Sequence, residues 1–247
     1  MRPVLLTGGS GRLGRELLAL LPDLIAPTRA ELDVTGPLDL VEQLQPRVIV
    51  HAAAYTDVLR AEHERAAAWQ LNVVATRRLA QAAARLDARF VLISTDYVFW
   101  GDRGDYREDD TPGPVRNYYA LSKLAAEEAA RAATQPLIIR TSFRARQWPH
   151  PVAFSDLYTS QDYVDRIAPQ IATAITRAAD IPFDTLHIAG PRRSALELAR
   201  ERRPDVQAAS RASAQVELPE DISLNTGRWQ SLLAGWSSVD SGMGQAS

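Results

Sequence analysis

Residues 4–21 read VLLTGGSGRLGRELLALL. An apolar run breaks at Gly8 and Gly9, and leucines at 13, 17, 18, 20 and 21 then follow at helical spacing. Strand, glycine turn and helix thus succeed one another without a gap. Gly8, Gly11 and Gly14 stand three apart across the turn. Glycines in that position permit a tight turn, close approach of the backbone to a pyrophosphate, and close helix–strand packing. The helix start adds free N–H groups and the positive end of its dipole. No Gly-Lys-Ser/Thr follows, so this is not the phosphate loop of a nucleoside triphosphatase. The stretch predicts the first crossover of a dinucleotide-binding sheet.

Outward from it the alternation continues. Residues 24–26, 48–50, 90–94 and 137–140 are short apolar runs that read as buried strands. Residues 38–44, the alanine-rich 64–86, and 118–133 read as the helices around them. Apolar strands alternating with helices predict an α/β fold whose parallel sheet is covered on both faces. After Thr141 the pattern changes: FRARQWPHPVAFSDLYTSQDY (143–163) mixes prolines, aromatics and polar residues without clear period. Helices return at 164–179 and 194–202, with a short strand at 186–188 and a mixed segment at 204–234. The tail SSVDSGMGQAS is small and polar and is expected to fray. The division that results is 1–142 for the sheet domain, with 162–190 adding to it, 143–161 and 191–236 for a smaller lobe, and 237–247 for a flexible tail.

Composition removes other classes. The 247 residues are 46% hydrophobic and 23% charged with a net charge of -2, and the arginines are interleaved with acids. That argues against a nucleic-acid or anionic-membrane partner. The absence of cysteine excludes a disulfide framework, thiolate metal sites and a cysteine nucleophile. The histidines, at 51, 63, 150 and 187, are isolated without ligand spacing, and no metal site is expected. No apolar run approaches the ~20 residues that cross a bilayer, and no signal-peptide pattern precedes the first strand. A soluble cytoplasmic protein is expected.

Lys123 is the single lysine among 28 basic residues. It lies in YYALSKLAAEE, four residues after Tyr119, so a helix carries both on one face, one turn apart. A phenol near its usual pKa of ~10 is a poor acid–base at neutral pH, and an adjacent ammonium lowers it. Lysine's thin stem and three rotatable donors can also reach ribose hydroxyls, for which a planar guanidinium is differently shaped. The strand at 90–94 delivers Thr95, Asp96 and Tyr97 at its carboxyl end, where open α/β sheets bind ligands. Thr95 is placed to hydrogen-bond a substrate carbonyl oxygen beside the Tyr119 hydroxyl. An NAD-selective site puts an acid at the end of the second strand; here Thr28 and Arg29 stand there. Arg29, with Arg12, could receive a 2′-phosphate through a forked ion pair, which tilts the cofactor to NADPH, with NADH the alternative. Asp33 could accept from the adenine amino group or act as a turn or cap residue.

With these residues in place, the chain resembles the extended short-chain dehydrogenase/reductases, and within them the dTDP-4-dehydrorhamnose reductase family of nucleotide-sugar ketoreductases. The stretches that carry the resemblance are LLTGGSGRLGREL, LDVT, PRVIVHAAAYTDVLRAE, ISTDYVFWGDRGDYREDD, YALSKLAAEE and LIIRTSF, followed by FSDLYTSQDYV and PEDISLNTGRWQSLL. The resemblance implies a Rossmann-like doubly wound parallel sheet with a small C-terminal substrate lobe, and a part in dTDP-rhamnose biosynthesis. It implies that Tyr119 donates a proton to the C4 carbonyl oxygen of a sugar, that Lys123 holds the nicotinamide ribose, and that Thr95 polarises the carbonyl. Gly8, Gly11, Arg12, Leu13 and Gly14 would border the pyrophosphate, Arg29, Asp33 and Val34 the adenosine, Ala52, Ala53, Ala54 and Tyr55 the nicotinamide-side ribose, and Thr141 and Ser142 the nicotinamide. Asp96, Tyr97 and Phe143 would face the sugar. The implied partner is a nucleotide-sugar substrate, and a homodimer is compatible with the sequence. The chain departs from the family at Leu59, Trp100 and Ala120, and between Phe143 and Phe154 it lacks the loop and helix that wall the family's pocket. A nucleotide-sugar epimerase and a non-catalytic NADP-binding regulatory subunit of the same fold remain open alternatives. A dehydratase is disfavoured because Tyr97, not Glu, follows Asp96.

Overall fold

The computed structural model describes residues 2–214 and 217–243. Five strands and the helices between them build the first half. The strands are β1 (Val4–Thr7), β2 (Leu24–Ile25), β3 (Val48–His51), β4 (Arg89–Thr95) and β5 (Pro136–Thr141). The helices are α1 (Arg12–Leu20), α2 (Asp39–Leu44), α3 (Val58–His63), α4 (Arg65–Trp69), α5 (Ala75–Arg85) and α6 (Tyr118–Ala130). In the second half come β6 (Phe143–Arg144), β7 (Val152–Phe154), β8 (Tyr158–Thr159), β9 (Asp162–Tyr163), α7 (Val164–Thr176), β10 (Thr185–His187), β11 (Arg193–Ser194), α8 (Ala195–Arg200), β12 (Gln207–Ala209) and α9 (Gly227–Met243). Of the tail expected at 237–247, residues 237–243 continue α9 and 244–247 lie outside the described residues.

The main sheet has six strands in the order β10-β5-β4-β3-β1-β2, every pair parallel. Its register sets Thr7 beside His51 and Thr95 beside Thr141, so the carboxyl ends of the inner strands finish level with one another. Side chains alternate between faces at period two. Leu6, Val50, Val91, Ile93 and Ile139 pack under α1 and α7, while Leu5, Ile49, Phe90, Leu92 and Ile138 pack under α2, α5 and α6. A strand buried on both sides has no polar position to spare, which is why these runs are apolar throughout. The order reverses between β1 and β3, and the glycine turn lies at that reversal.

The alanine-rich stretch departs from the continuous helix predicted over 64–86. It divides into α4, a π-helical turn at Gln70–Val74, and α5. The π turn contains Asn72, whose buried amide is fully engaged by polar partners; such turns insert one extra residue and re-aim a side chain.

The second half is woven back into the first. β10 completes the sheet, and α7 lies against α1. Three two-stranded ribbons form the lobe: β6 with β9, β7 with β12, and β8 with β11. Trp148, Tyr163, Leu196, Leu198 and Val206 are its small core. α8 starts with a capping box, Ser194 and Glu197 each satisfying the other's backbone N–H. Among the described residues no helix is long and apolar enough to cross a membrane.

Candidate active site

The three glycines of the first turn do different things. Gly8 has φ +80, and a Cβ there would stand 2.5 Å from the Ala53 nitrogen. A Cβ at Gly14 would stand 2.3 Å from the Gly8 carbonyl oxygen. Only hydrogen fits at either place. Gly11 has an ordinary φ of -70 and forms the N-cap of α1 without any side-chain hydrogen bond. The first N–H groups of α1 therefore face outward with no capping side chain, in a notch from which Cβ atoms are excluded. That arrangement fits the pyrophosphate of a dinucleotide. Arg12 is exposed at this rim. Leu13 instead points into the core, so only its backbone can border the notch.

At the adenosine end the geometry is looser. The Arg29 side chain is 85% exposed and reaches Asp33 at 3.3 Å. The other Asp33 oxygen accepts the Thr35 backbone N–H at 2.9 Å and its hydroxyl at 2.7 Å. Both oxygens of Asp33 are thus engaged in its own loop, as a turn residue's would be. Val34 packs in the core under β1 and β3.

Ala52, Ala53 and Ala54 leave β3 beside the glycine turn, and the Ala52 N–H donates to the Thr7 carbonyl at 3.2 Å. Asn72 holds the next residue. Its side-chain oxygen accepts the Tyr55 N–H at 2.7 Å, and its amide donates to the Tyr55 carbonyl at 3.2 Å and to Ser122 Oγ at 2.8 Å. One buried amide thereby ties the segment after β3 to α6. The Tyr55 hydroxyl donates to Glu64 at 2.6 Å, so its ring end turns away from the notch.

α6 presents Tyr119, Lys123 and Glu127 at successive turns of one face. Its start is fixed by Asn117, whose side chain accepts the Ala120 N–H at 2.8 Å. Lys123 is buried, and its Nζ donates to the Ile93 carbonyl at 2.8 Å. Burial lowers its pKa to about 8, and the Glu127 carboxylate one turn on opposes that fall. An ammonium has three donors, so two of Lys123's remain after the bond to Ile93. Glu127 in turn accepts Ser94 Oγ at 2.5 Å and the Arg140 guanidinium at 2.8 Å, all within the protein interior. His51, the neighbouring strand end, is held neutral. Burial first, and the Lys123 charge second, bring its pKa to about 3, while Nδ1 shares a 2.7 Å hydrogen bond with Thr7.

Thr95 ends β4, and its hydroxyl lies beside the Tyr119 phenol, close enough to hold the phenol's pKa down. It donates to Asp96 at 3.0 Å and accepts the Tyr97 N–H at 3.2 Å. Phenol, hydroxyl and carboxyl therefore stand in a row, the last two joined by a hydrogen bond. Burial raises the Asp96 pKa to about 6, against hydrogen bonds from Ser142 and Thr95 that hold it down. The expectation that Lys123 lowers the phenol's pKa needs correction. Burial pushes the Tyr119 phenol up, the Thr95 hydrogen bond opposes this, and the Asp96 and Tyr97 charges reinforce it. The Lys123 ammonium is directed to the β4 backbone instead. Tyr97 meets Tyr119 edge to face, ring centroids 6.1 Å apart.

Beyond these strand ends lies a pocket of about 350 Å³. Asp96, Tyr97 and Ser142 form its floor, and Arg144, Trp148, Phe154, Leu157 and Ile222 its walls. Phe143, expected there, packs on the sheet core instead, and Thr141 is buried at the strand end. The segment between Phe143 and Phe154 lines much of this pocket, through Arg144, Trp148, Val152 and Ala153. β7 pairs with β12 at Ala153, and Trp148 anchors the turn before it. Arg144 and Trp148, which line the pocket, and Asn72, which braces the segment after β3, are positions that spacing did not reveal. The aromatic and proline density of 143–163 was the one available signal for the first two. Glu108, a carboxylate that could have suggested an ion site, accepts the His187 N–H at 3.0 Å and lies 3.9 Å from Arg228. The arrangement as a whole can hold a dinucleotide across the sheet's reversal point and set the Tyr119 hydroxyl, with Thr95 beside it, against a carbonyl oxygen.

Comparison with known proteins fits this geometry. Residues 1–148 match the family described as RmlD substrate binding domain. A dTDP-4-dehydrorhamnose reductase of Mycobacterium tuberculosis (strain ATCC 25618 / H37Rv) is 37% identical over 151 residues, 57% of this chain and 49% of that protein. One from Streptomyces griseus is 43% identical over 133 residues, 51% of this chain and 43% of that protein. Over these alignments the chain spans about half the length of the curated relatives it matches. The crystal structure of dTDP-4-dehydrorhamnose reductase from Bacillus anthracis in complex with NADP superposes with a TM-score of 0.81 at 27% identity, covering 93% of this chain and 91% of that one. A hypothetical dTDP-4-dehydrorhamnose reductase from Sulfolobus tokodaii superposes with a TM-score of 0.78 at 32% identity, covering 93% and 94%.

Proposed function

The chain belongs to the RmlD substrate binding domain family, and we propose that it is an NADPH-dependent reductase of a 4-keto nucleotide sugar. The observation that carries this reading is the Thr95–Tyr119 hydroxyl pair at the end of β4, with Lys123 one helical turn below and the pocket directly beyond. The cofactor, when bound, supplies the hydride for the carbonyl carbon.

The chain's own residues do the rest. The notch of Gly8 and Gly14 and the start of α1 bind the pyrophosphate, and Lys123 uses its remaining donors on the ribose. Thr95 and Tyr119 orient the carbonyl oxygen. Tyr119 passes its proton to that oxygen as negative charge develops there, and the phenolate it leaves behind, with the Thr95 hydroxyl beside it, recovers a proton from solvent. A phenol held above its usual pKa is fully protonated at neutral pH, so the proton is in place, and its low acidity is what the charge developing on the carbonyl oxygen must overcome. His51 is neutral and adds no charge that would repel Lys123.

The test follows NADPH absorbance in the presence of dTDP-4-keto-6-deoxy sugars. Turnover should fall at least about a thousandfold in Tyr119→Phe, on the scale of a lost general acid, while NADPH affinity stays near wild type. Undiminished turnover in that variant rejects the assignment of Tyr119. A second reading, a dinucleotide-binding protein without turnover, draws on the Lys123 bond to Ile93 and the unactivated phenol. NADPH binding with no consumption on any 4-keto substrate would establish it.

A further inference from the structure

The pocket beside Thr95 and Tyr119 contains a cation without a counter-charge in contact. Burial lowers the pKa of two guanidiniums in this fold, Arg89 and Arg144. Arg89 donates to the carbonyls of Ile181 and Phe183, each at 3.0 Å. Arg144 meets no such acceptor. Among the described residues no hydrogen bond from its side chain and no carboxylate within ion-pair distance is found, and its Nε is enclosed with no partner. The carboxyl that acts on it is Asp96, the phenols of Tyr97 and Tyr163 lie around it, and a second cation, Arg12, opposes them. Its guanidinium lies over the Trp148 indole, 4.3 Å from the ring centroid. The indole N–H of Trp148 is itself buried and unpartnered.

Two neighbouring side chains on one pocket wall thus hold donors with no acceptors. A half-buried guanidinium whose Nε is enclosed without an acceptor is costly to fold around, and an unmet indole N–H adds to that cost. A ligand offsets both by bringing oxygen acceptors, and it does so best as an anion. The flat guanidinium fork matches a carboxylate or phosphoryl group, and stacking on Trp148 fixes its plane. Much of the remaining wall is apolar, at Val152, Phe154, Leu157 and Ile222, so the anion has one place to settle.

We propose that Arg144, seated on Trp148, recognises an oxyanion of the substrate and so turns the reacting carbonyl toward Thr95 and Tyr119. This rests on the reductase reading and assigns to Arg144 the acidic group of its substrate, a phosphoryl group of the nucleotide or a carboxylate of the sugar.

The decisive experiment is calorimetric titration of the NADPH-saturated protein, whose dinucleotide notch is then filled, with dTDP, glucuronate and thymidine. At least one anion should bind roughly tenfold or more tightly than the uncharged thymidine, as expected for a charged hydrogen-bonded contact. Tight dTDP identifies the phosphoryl source, and tight glucuronate the carboxylate source; either supports the assignment. Arg144→Gln should abolish the preference for the anion while leaving NADPH affinity within about threefold, which shows that the variant folds. Arg144→Lys should restore part of it, since charge returns without the fork. Equal anion binding in wild type and Arg144→Gln, or no anion binding by the saturated wild type, overturns the proposal. Failure to bind NADPH at all sinks the reductase reading separately. The same titrations on the protein without NADPH then still decide Arg144, by the comparison with Arg144→Gln.

Discussion

Asp96 shows at the scale of one residue what this site costs and what it gains. Its folded pKa of about 6 lies above the 3.8 of a free carboxyl, so the folded chain binds that proton more tightly than the unfolded chain does. The resulting stabilisation is fully present below about pH 4 and is lost as pH rises through about 6. Above that, the ionised buried carboxyl costs on the order of 3 kcal/mol. Asp96→Asn removes the charge and keeps an acceptor for Thr95. Its melting temperature should therefore exceed wild type at pH 7.5 and nearly equal it at pH 4; a gain that is the same at both values would show that ionisation is not the cause. At this scale the sequence was partly legible. A tyrosine and a lysine four apart, with a threonine at a strand end, were enough to pick out side chains that α6 and β4 bring to one place. The direction of the Lys123 ammonium was not readable, because it depends on which backbone carbonyl of β4 the side chain meets when buried. Arg144 stayed hidden for a related reason: one arginine among many has no spacing that marks it, and only the fold shows that it lacks a partner.

At the scale of the element, three glycines that look alike in sequence separate once the turn closes. Gly14→Ala would drive a Cβ to 2.3 Å from the Gly8 carbonyl oxygen, a backbone atom that cannot move without lifting α1 off β1. Gly11→Ala meets nothing nearer than 3.2 Å and sits at an ordinary φ. The first substitution should lower the melting temperature by 10 °C or so, a loss of roughly 2–3 kcal/mol, and weaken NADPH binding. The second should change either little, and thermal melts of the pair with a cofactor titration check it. α6 makes a second case. Its buried stripe carries Lys123 and Glu127, and only the Arg140 and Ser94 contacts make that carboxylate tolerable inside. Glu127→Gln strands Arg140 without its counter-charge, and urea unfolding should show a loss of about 3–5 kcal/mol. The double variant with Arg140→Gln should recover part of it, since the coupling between the two is then absent. Periodicity foresaw α6 as a helix. It did not foresee the π turn at Asn72, because alanine-rich sequence favours a regular helix and the deviation is imposed by Tyr55 and Ser122 from elsewhere in the fold.

For the whole molecule, the sheet was legible and the lobe was not, and the reason lies in how each is built. Sheet strands such as Phe90–Ile93 are buried on both faces and announce themselves as unbroken apolar runs. The lobe's ribbons are two or three residues long, as at Tyr158–Thr159, and join segments far apart in the chain, so no local pattern records them. The same interleaving governs cooperativity. Chain passes from β5 into the lobe, returns through α7 and β10 to the sheet, enters the lobe again, and ends with α9 on the sheet side, where Trp229 is buried and donates to Gln170 at 2.9 Å. The lobe cannot open without straining the connections to α7 and β10, and its own core is small. Lobe and sheet should accordingly unfold in one transition. Trp148 lies in the lobe core and Trp229 in the sheet core, so variants that keep one or the other as the sole tryptophan report on each part. Their urea midpoints should coincide with each other and with far-ultraviolet circular dichroism. An earlier midpoint at Trp148 would mean that the lobe opens on its own, and the pocket wall that carries Arg144 would then be a separately folding unit.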